Sequence, residues 1–219
     1  MNRAEEDYIK TIYELTIEKK QSLIKTNDLA EQFGYTDQSV NEMIKKLEAK
    51  HLVSFYPYKG LSLTNKGRQV AIRMIRSHRI WEVFLTEKLG FSWENVHDDA
   101  EMLEHATSDE VIDKLYDFLG KPKYCQHGNP IPDQDGNIKE TTTLSLYDAN
   151  LLESFQLKRV LDSRDLLIYL NEEGIRLDDV LKVVDKDDFN GILKVERKGK
   201  AKTISIKTAK MLFGIIIDS

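Results

Sequence analysis

The chain has 219 residues, 41% of them hydrophobic, enough apolar material for two or three small modules with buried cores. The formal charge is -5, but nine Lys or Arg stand against two acids from Gln38 to Ile80, whereas five basic residues stand against sixteen acids from Trp81 to Phe155. One part therefore suits phosphate and the next suits cations. The single cysteine excludes an internal disulfide, no apolar run reaches membrane-spanning length and the start MNRAEEDYIK lacks a signal-peptide pattern, so a soluble cytoplasmic protein is expected.

Residues 3 to 19 predict an amphipathic helix, with Glu5, Glu6 and Asp7 in its first turn and Ile9, Ile12, Tyr13 and Leu15 on its buried side. Thr26 caps a short helix, NDLAEQF, that stops at Gly34, and Thr36 caps a second, DQSVNEMIKKLEAKHL. Helix, tight turn, helix is a helix-turn-helix signature, and VSFYPYKGLSLT from Val53 to Thr64 adds a β-hairpin wing around a Lys-Gly turn. In such a unit the start of the second helix faces base edges. Here that start offers Gln38, Ser39, Asn41 and Glu42, where Gln and Asn suit adenine and Glu accepts from cytosine. Thr36, Lys45, Lys46, Tyr58 and Lys59 suit phosphate, which gives affinity rather than sequence choice.

Thr64 caps a long helix through about Leu89, Gly90 to Asn95 turns the chain, a second helix follows to about Ala106, and Ser108 caps a third, DEVIDKLYDFLG. The stretch Arg76–Ala106 holds three of the five histidines. His78 with Glu82 and His97 with Glu101 are four apart, and Glu104 with His105 lie one turn further, so each set projects to one helix face and can hold a metal ion. Glu and His at this spacing are also common on solvated helix faces, and the stretch alone leaves both readings open. Trp81, Phe84, Leu85, Leu103, Val111, Leu115 and Phe118 give these helices more apolar surface than a small segment needs, which predicts a dimer interface. After Gly120, CQHGNPIP places Cys125 and His127 two residues apart as a candidate ligand pair.

From about Leu146 the runs FQLKRVL, VLKVV, ILKVE, TISIK and FGIII predict five short strands forming a small β-barrel, nearest in architecture to an Src-homology-3 barrel. A helix, SRDLLIYLNEE, capped by Ser163 and ended at Gly174, interrupts them.

EDYIKTIYEL, the winged helix-turn-helix, RSHRIWEVFLTEKLG followed by VHDDAEMLEHATSDEV, and GNPIP together resemble the metal-dependent repressors named after the diphtheria toxin repressor, and more closely their manganese-sensing branch. The resemblance covers the full length. It implies an α+β fold with a winged helix-turn-helix DNA-binding domain over 1–72, a helical dimerisation and metal-binding domain over 73–143 and an SH3-like (FeoA-like) domain over 144–219. It assigns a primary metal site to Asp7, Glu101, Glu104 and His105. Positions matching Asp7 and Glu101 are methionine and cysteine in the iron-sensing branch, so the carboxylates here favour Mn²⁺ by ligand type, with Fe²⁺ second and Zn²⁺ or Cd²⁺ as substitutes in vitro. For a second site the family uses residues matching His78, Glu82 and His97, whereas in streptococcal-type relatives the resemblance instead implies Glu82, Cys125, His127 and Asp162, the set favoured here because the sole cysteine and its neighbouring histidine are otherwise unexplained. Manganese regulators with a paired-metal site carry a glutamate where this chain has Lys10, a departure that argues against a close two-metal centre.

The implied function is Mn²⁺-activated binding to a palindromic operator in double-stranded DNA, by a homodimer that represses metal-uptake genes, with no membrane and no small organic substrate as partner. An Fe²⁺-dependent repressor and a metal-independent winged-helix protein are the alternatives. The sequence has no nucleophile elbow, phosphate loop or HExxH signature, so an enzyme is not expected.

Overall fold

The computed structural model describes residues 1–18, 21–138 and 142–217; residue 19, the expected end of the first helix, lies outside them. The chain forms two compact units, Met1–His78 with Leu103–Asp113 and Pro132–Asn137, and Arg79–Met102 with Lys114–Ile131 and Ile138–Ser219.

The first unit opens with α1 (Arg3–Glu18), which buries Ile9, Ile12, Tyr13 and Leu15 at helical spacing. Its buried Glu5 carboxylate accepts from Lys50 at 2.6 Å. The next helix, α2 (Thr26–Phe33), begins one residue earlier than expected, so Thr26 is its first residue and Lys25 its cap. Asp28 fixes this start by accepting from the Lys25 N–H at 3.1 Å, and Gly34 ends the helix in the left-handed conformation, φ +66°. Thr36 caps α3 (Asp37–Ala49) as expected, its hydroxyl accepting from the Ser39 N–H at 3.3 Å. That helix stops short of Leu52, where His51 turns at φ +58° and Leu52 and Val53 drop into the core.

The wing is an antiparallel pair, β1 (Val53–Tyr56) and β2 (Gly60–Leu63), in register from Val53 opposite Leu63 to Tyr56 opposite Gly60. Ile24 bridges to Leu61 on the other side of β2. Close approach makes Gly60 necessary: its φ is +127°, and a Cβ there would lie 2.5 Å from the Ile24 carbonyl oxygen. Thr64 then caps α4 (Asn65–Leu89) by accepting from the Gly67 N–H at 3.1 Å. Two shorter helices follow, α5 (Val96–Ala106) and α6 (Asp109–Phe118), the second started by Ser108, which accepts from the Val111 N–H. Of the residues expected to serve a dimer, Val111 and Phe118 are exposed and Leu85 is buried.

The second unit carries the sheet. Its strands are β3 (Leu144–Ser145), β4 (Ser154–Val160), β5 (Val180–Asp187), β6 (Ile192–Arg197), β7 (Lys200–Ser205) and β8 (Leu212–Ile217), with α7 (Arg164–Glu172) after β4 and the single turn α8 (Ile206–Ala209) before β8. They pair antiparallel in the order β3-β8-β4-β5-β6-β7. The architecture is SH3-like, but the barrel expected from the sequence is not closed: among the described residues β3 and β7 are edges. Two residues of β3 supply only two rungs, too few to carry the pairing round. Register shifts between Leu157 and Arg159 and between Val183 and Asp185 coil the sheet instead. The coiled face encloses Phe155, Leu157, Leu181, Val183, Leu193 and Val195, and α7 closes over them with Leu166, Leu167 and Leu170. Ser163 precedes α7 as expected, without a capping bond from its side chain.

Gly60→Ala is expected to lower stability by about 1–3 kcal/mol, the usual cost of one strained backbone position. Gly34→Ala, at φ +66° with nothing within 4 Å of a new Cβ, is expected to cost less. Urea unfolding midpoints at equal slope check both.

Candidate metal centre

Two sets of convergent donors stand out, one in each unit. In the first unit α1 contributes Asp7 and α5 contributes the neighbours Glu104 and His105, with one donor atom from each lying within 4.8 Å of the others. Nε2 of His105 is 2.9 Å from Asp7 Oδ1 and 3.6 Å from Glu104 Oε1. That nitrogen is buried and makes no well-formed hydrogen bond, while Nδ1 on the ring's other side donates to Glu6 at 2.7 Å. Two carboxylates and an imidazole with its unused nitrogen turned toward them fit a divalent cation, and the set contains no sulfur.

Glu104 is buried, and burial alone would raise its pKa; His78 and Lys10 outweigh burial and hold it below the usual carboxylate range. The Lys10 ammonium donates to both Glu104 oxygens at 2.9 and 3.0 Å. Nδ1 of His78 donates to the same carboxylate at 2.6 Å and lies 3.3 Å from the ammonium. Lys10 is on the same face of α1 as Glu6 and Asp7, so one turn of that helix meets both neighbouring residues of α5. A cavity of about 460 Å³ borders Glu104 and His105, and its wall carries Glu6, Asp109, Asp113, Asp133 and Asp135 against Arg73 and Arg76. Such a wall raises the local concentration of cations at the donors.

In the second unit Glu82 of α4 meets Cys125 and His127, again within 4.8 Å. Nδ1 of His127 is 3.0 Å from Glu82 and 3.4 Å from Asp162, and Nε2 donates to the Trp93 carbonyl at 2.8 Å. Backbone bonds set the loop that carries the pair: Cys125 N–H to Asn129 O at 2.9 Å, Gly128 N–H to Cys125 O at 3.0 Å and Val160 N–H to His127 O at 3.0 Å. Only glycine fits at position 128, where φ is +77° and a Cβ would lie 2.0 Å from the Lys158 carbonyl oxygen. Burial would lower the His127 pKa, but Glu82 first, then Cys125 and Asp162, push it up to about 12. Burial also pushes the Cys125 thiol up, and Glu82 adds to that. His97 adjoins this set, with Nδ1 3.0 Å from Asp162 and Nε2 3.1 Å from Glu101.

The structure thus brings together Asp7, Glu104 and His105, and separately Glu82, Cys125, His127 and Asp162, with His97 beside Asp162. Glu101 pairs with His97, and His78 pairs with Glu104. Sequence reading missed Glu6 as a partner of His105. It noticed Lys10 only as a departure from a pattern and not as the counter-ion of Glu104. The neighbouring positions of Glu6 and Asp7 were the available signal, but nothing in α1 tells that its partners lie about a hundred residues away.

The residues expected to contact nucleic acid fall on two exposed surfaces of the first unit. α3 buries Val40, Ile44 and Leu47 and exposes Gln38, Ser39, Asn41, Glu42, Lys45 and Lys46. Gln38 and Glu42 pair at 3.4 Å, and the Thr36 and Ser39 hydroxyls are 3.1 Å apart. At the wing tip Tyr58 is fully exposed in the left-handed conformation, φ +64°, beside exposed Lys59.

Comparison with known proteins gives three domain matches: iron dependent repressor, N-terminal DNA binding domain, over residues 1–61; iron dependent repressor, metal binding and dimerisation domain, over 64–133; and FeoA domain over 144–214. An uncharacterized HTH-type transcriptional regulator of Methanocaldococcus jannaschii is 37% identical over 123 residues, 56% of this chain and 98% of that protein. The diphtheria toxin repressor of Corynebacterium glutamicum is 35% identical over 127 residues, 58% of this chain and 55% of the repressor, so the match spans about half the length of that relative. Among solved structures, a manganese-dependent transcriptional repressor in complex with manganese superposes with a TM-score of 0.87 at 32% identity, covering 97% of this chain and 100% of that one.

Lys10→Met is expected to cost roughly 3 kcal/mol of unfolding free energy, because it strips the buried Glu104 charge of one of its two partners. Adding Glu104→Gln should restore part of the loss by removing the stranded charge. Urea unfolding of wild type, both single variants and the double variant measures the coupling.

Proposed function

The chain belongs to the diphtheria-toxin-repressor-like, iron-dependent repressor family of metal-dependent transcriptional repressors, and from that membership we propose that Mn²⁺ activates it for operator binding. Its relatives are transcriptional repressors, not enzymes, and its partners are DNA and a second copy of itself. No helix among the described residues is long and apolar enough to cross a membrane.

The observation that supports manganese is the donor set of the first cluster, two carboxylates and one imidazole with no sulfur. Asp7, Glu104 and His105 would hold the ion, which would supply a divalent charge that fastens α1 to α5. Hard oxygen donors suit Mn²⁺, and Fe²⁺ is the second reading because the matched domains are described as iron dependent. Glu101 is proposed as a fourth ligand on the resemblance to the family. Glu82, Cys125, His127 and Asp162 are proposed as a second site, its thiol suited to softer ions as well.

Asp7 shares its unit with α3 and with Glu104 and His105, which supports a reading in which metal occupancy and DNA affinity are two linked equilibria. The ion strengthens DNA binding only by the free energy with which it favours the DNA-competent arrangement, typically ~1 to 3 kcal/mol, and DNA strengthens metal binding equally. In a twofold dimer the paired α3 helices would read half-sites of a palindromic operator about 34 Å apart. Gln38, Ser39, Asn41 and Glu42 would face bases, and Thr36, Lys45, Lys46, Tyr58 and Lys59 phosphates.

Fluorescence anisotropy of a labelled fragment from upstream of a manganese-uptake operon, at fixed salt, tests this reading. Tight binding with Mn²⁺ and weak binding in chelator are expected; stronger activation by anaerobic Fe²⁺ would favour the iron reading, and equal binding in chelator would contradict metal gating. Asp7→Ala should lose metal-activated binding while the dimer survives. Gln38→Ala should weaken operator binding with metal affinity retained, and a large loss of metal affinity there would contradict the domain roles.

A further inference from the structure

We propose that Glu6 is a positioning residue for the first metal centre, fixing the His105 imidazole so that Nε2 is presented to the ion. The inference rests on reading Asp7, Glu104 and His105 as metal ligands.

A histidine offers a metal only one of its ring nitrogens, and the hydrogen bond made by the other decides which one and at what angle. His105 is largely buried between two carboxylates of α1, with Glu6 Oε2 2.7 Å from Nδ1 and Asp7 Oδ1 2.9 Å from Nε2. Only the Asp7 side opens on the other proposed ligand, Glu104, 3.6 Å from Nε2. Glu6 stands outside that set and is braced by Arg73, whose guanidinium is 3.8 Å from the second Glu6 oxygen and 3.7 Å from Asp109. Glu6 therefore accepts the Nδ1–H and leaves Nε2 as the donor atom. His127 shows the same arrangement with the nitrogens exchanged: Nε2 donates to the Trp93 carbonyl and Nδ1 faces Glu82. There the orienting group is backbone, which no substitution can delete. At His105 it is a side chain of the helix that also supplies Asp7, so α1 contributes a ligand and the orienter of another ligand.

The experiment uses the full chain with Mn²⁺ and Cd²⁺ as probes. Free Mn²⁺ is followed by electron paramagnetic resonance during titration of wild type, Glu6→Gln and Glu6→Ala, with unfolding midpoints as a check on folding. Glu6→Ala is expected to bind Mn²⁺ about 10- to 100-fold more weakly, the usual effect of deleting such a partner. Glu6→Gln, whose amide oxygen still accepts, should lose less. Independently, ¹H–¹⁵N spectra of the Cd²⁺-loaded wild type should show a His105 Nδ1–H that exchanges slowly with solvent. A merely structural Glu6 would not protect that proton. Loss of affinity in Glu6→Ala below twofold, or a His105 bound through Nδ1 or lacking a protected Nδ1–H, overturns the proposal. The wild-type spectrum decides the matter even if Glu6→Ala does not fold. If the wild type binds neither ion, the metal reading itself fails, a result distinct from a wild type that binds while Glu6 proves irrelevant.

Discussion

The buried charge of Glu104 is the constraint on which the first unit depends. An ionised carboxylate removed from water costs several kcal/mol unless its oxygens are paired, and here the pairing comes from elsewhere in the chain. Lys10 reaches it from α1 and His78 from α4. Three helices distant in sequence are therefore held at one carboxylate, and the geometry of Asp7 and His105 follows from that junction. The same arrangement limits what the centre can hold. With an ammonium against both Glu104 oxygens, the side of the carboxylate facing His78 already carries a positive charge, and a second divalent ion there would meet it at contact distance.

The second cluster solves the same problem with different materials. Its loop is shaped by backbone hydrogen bonds around Gly128 and laid against β4, so Cys125 and His127 owe their positions to main-chain geometry. Its charges are mutually compensating, with Glu82, Cys125 and Asp162 together raising the His127 pKa to about 12 against the effect of burial. Donors fixed by backbone and donors fixed by side-chain ion pairs differ in how readily substitution can retune them, and the first cluster is the more adjustable.

Local signals in the sequence carried most of the fold. Thr36, Thr64 and Ser108 make the capping bonds their positions predict, Gly34 ends α2, and alternating runs become β4 to β8. Where reading failed, the deciding interaction was tertiary. Thr26 gives way as cap to Lys25 because Asp28 bonds back to the earlier residue. The two-residue β3 is too short to show any periodicity, and closure of a sheet depends on edge pairing that no single strand encodes. Asp7, Glu104 and His105 were assigned through resemblance, and the structure brings those three together. Spacing alone had paired His97 with Glu101, which the helix indeed juxtaposes. Glu6 reads as an ordinary dipole-favouring acid and Lys10 only as a departure from the family's pattern, since their partners follow some 94 to 99 positions later.

Glu6, Asp7 and Lys10 occupy little more than one turn of α1, a rise of about 6 Å. A rotation of that helix by a single residue, about 100°, would turn Lys10 off Glu104 and put one of the two carboxylates that flank His105 on the other's bearing. The junction consequently makes three contacts depend on the setting of one helix turn.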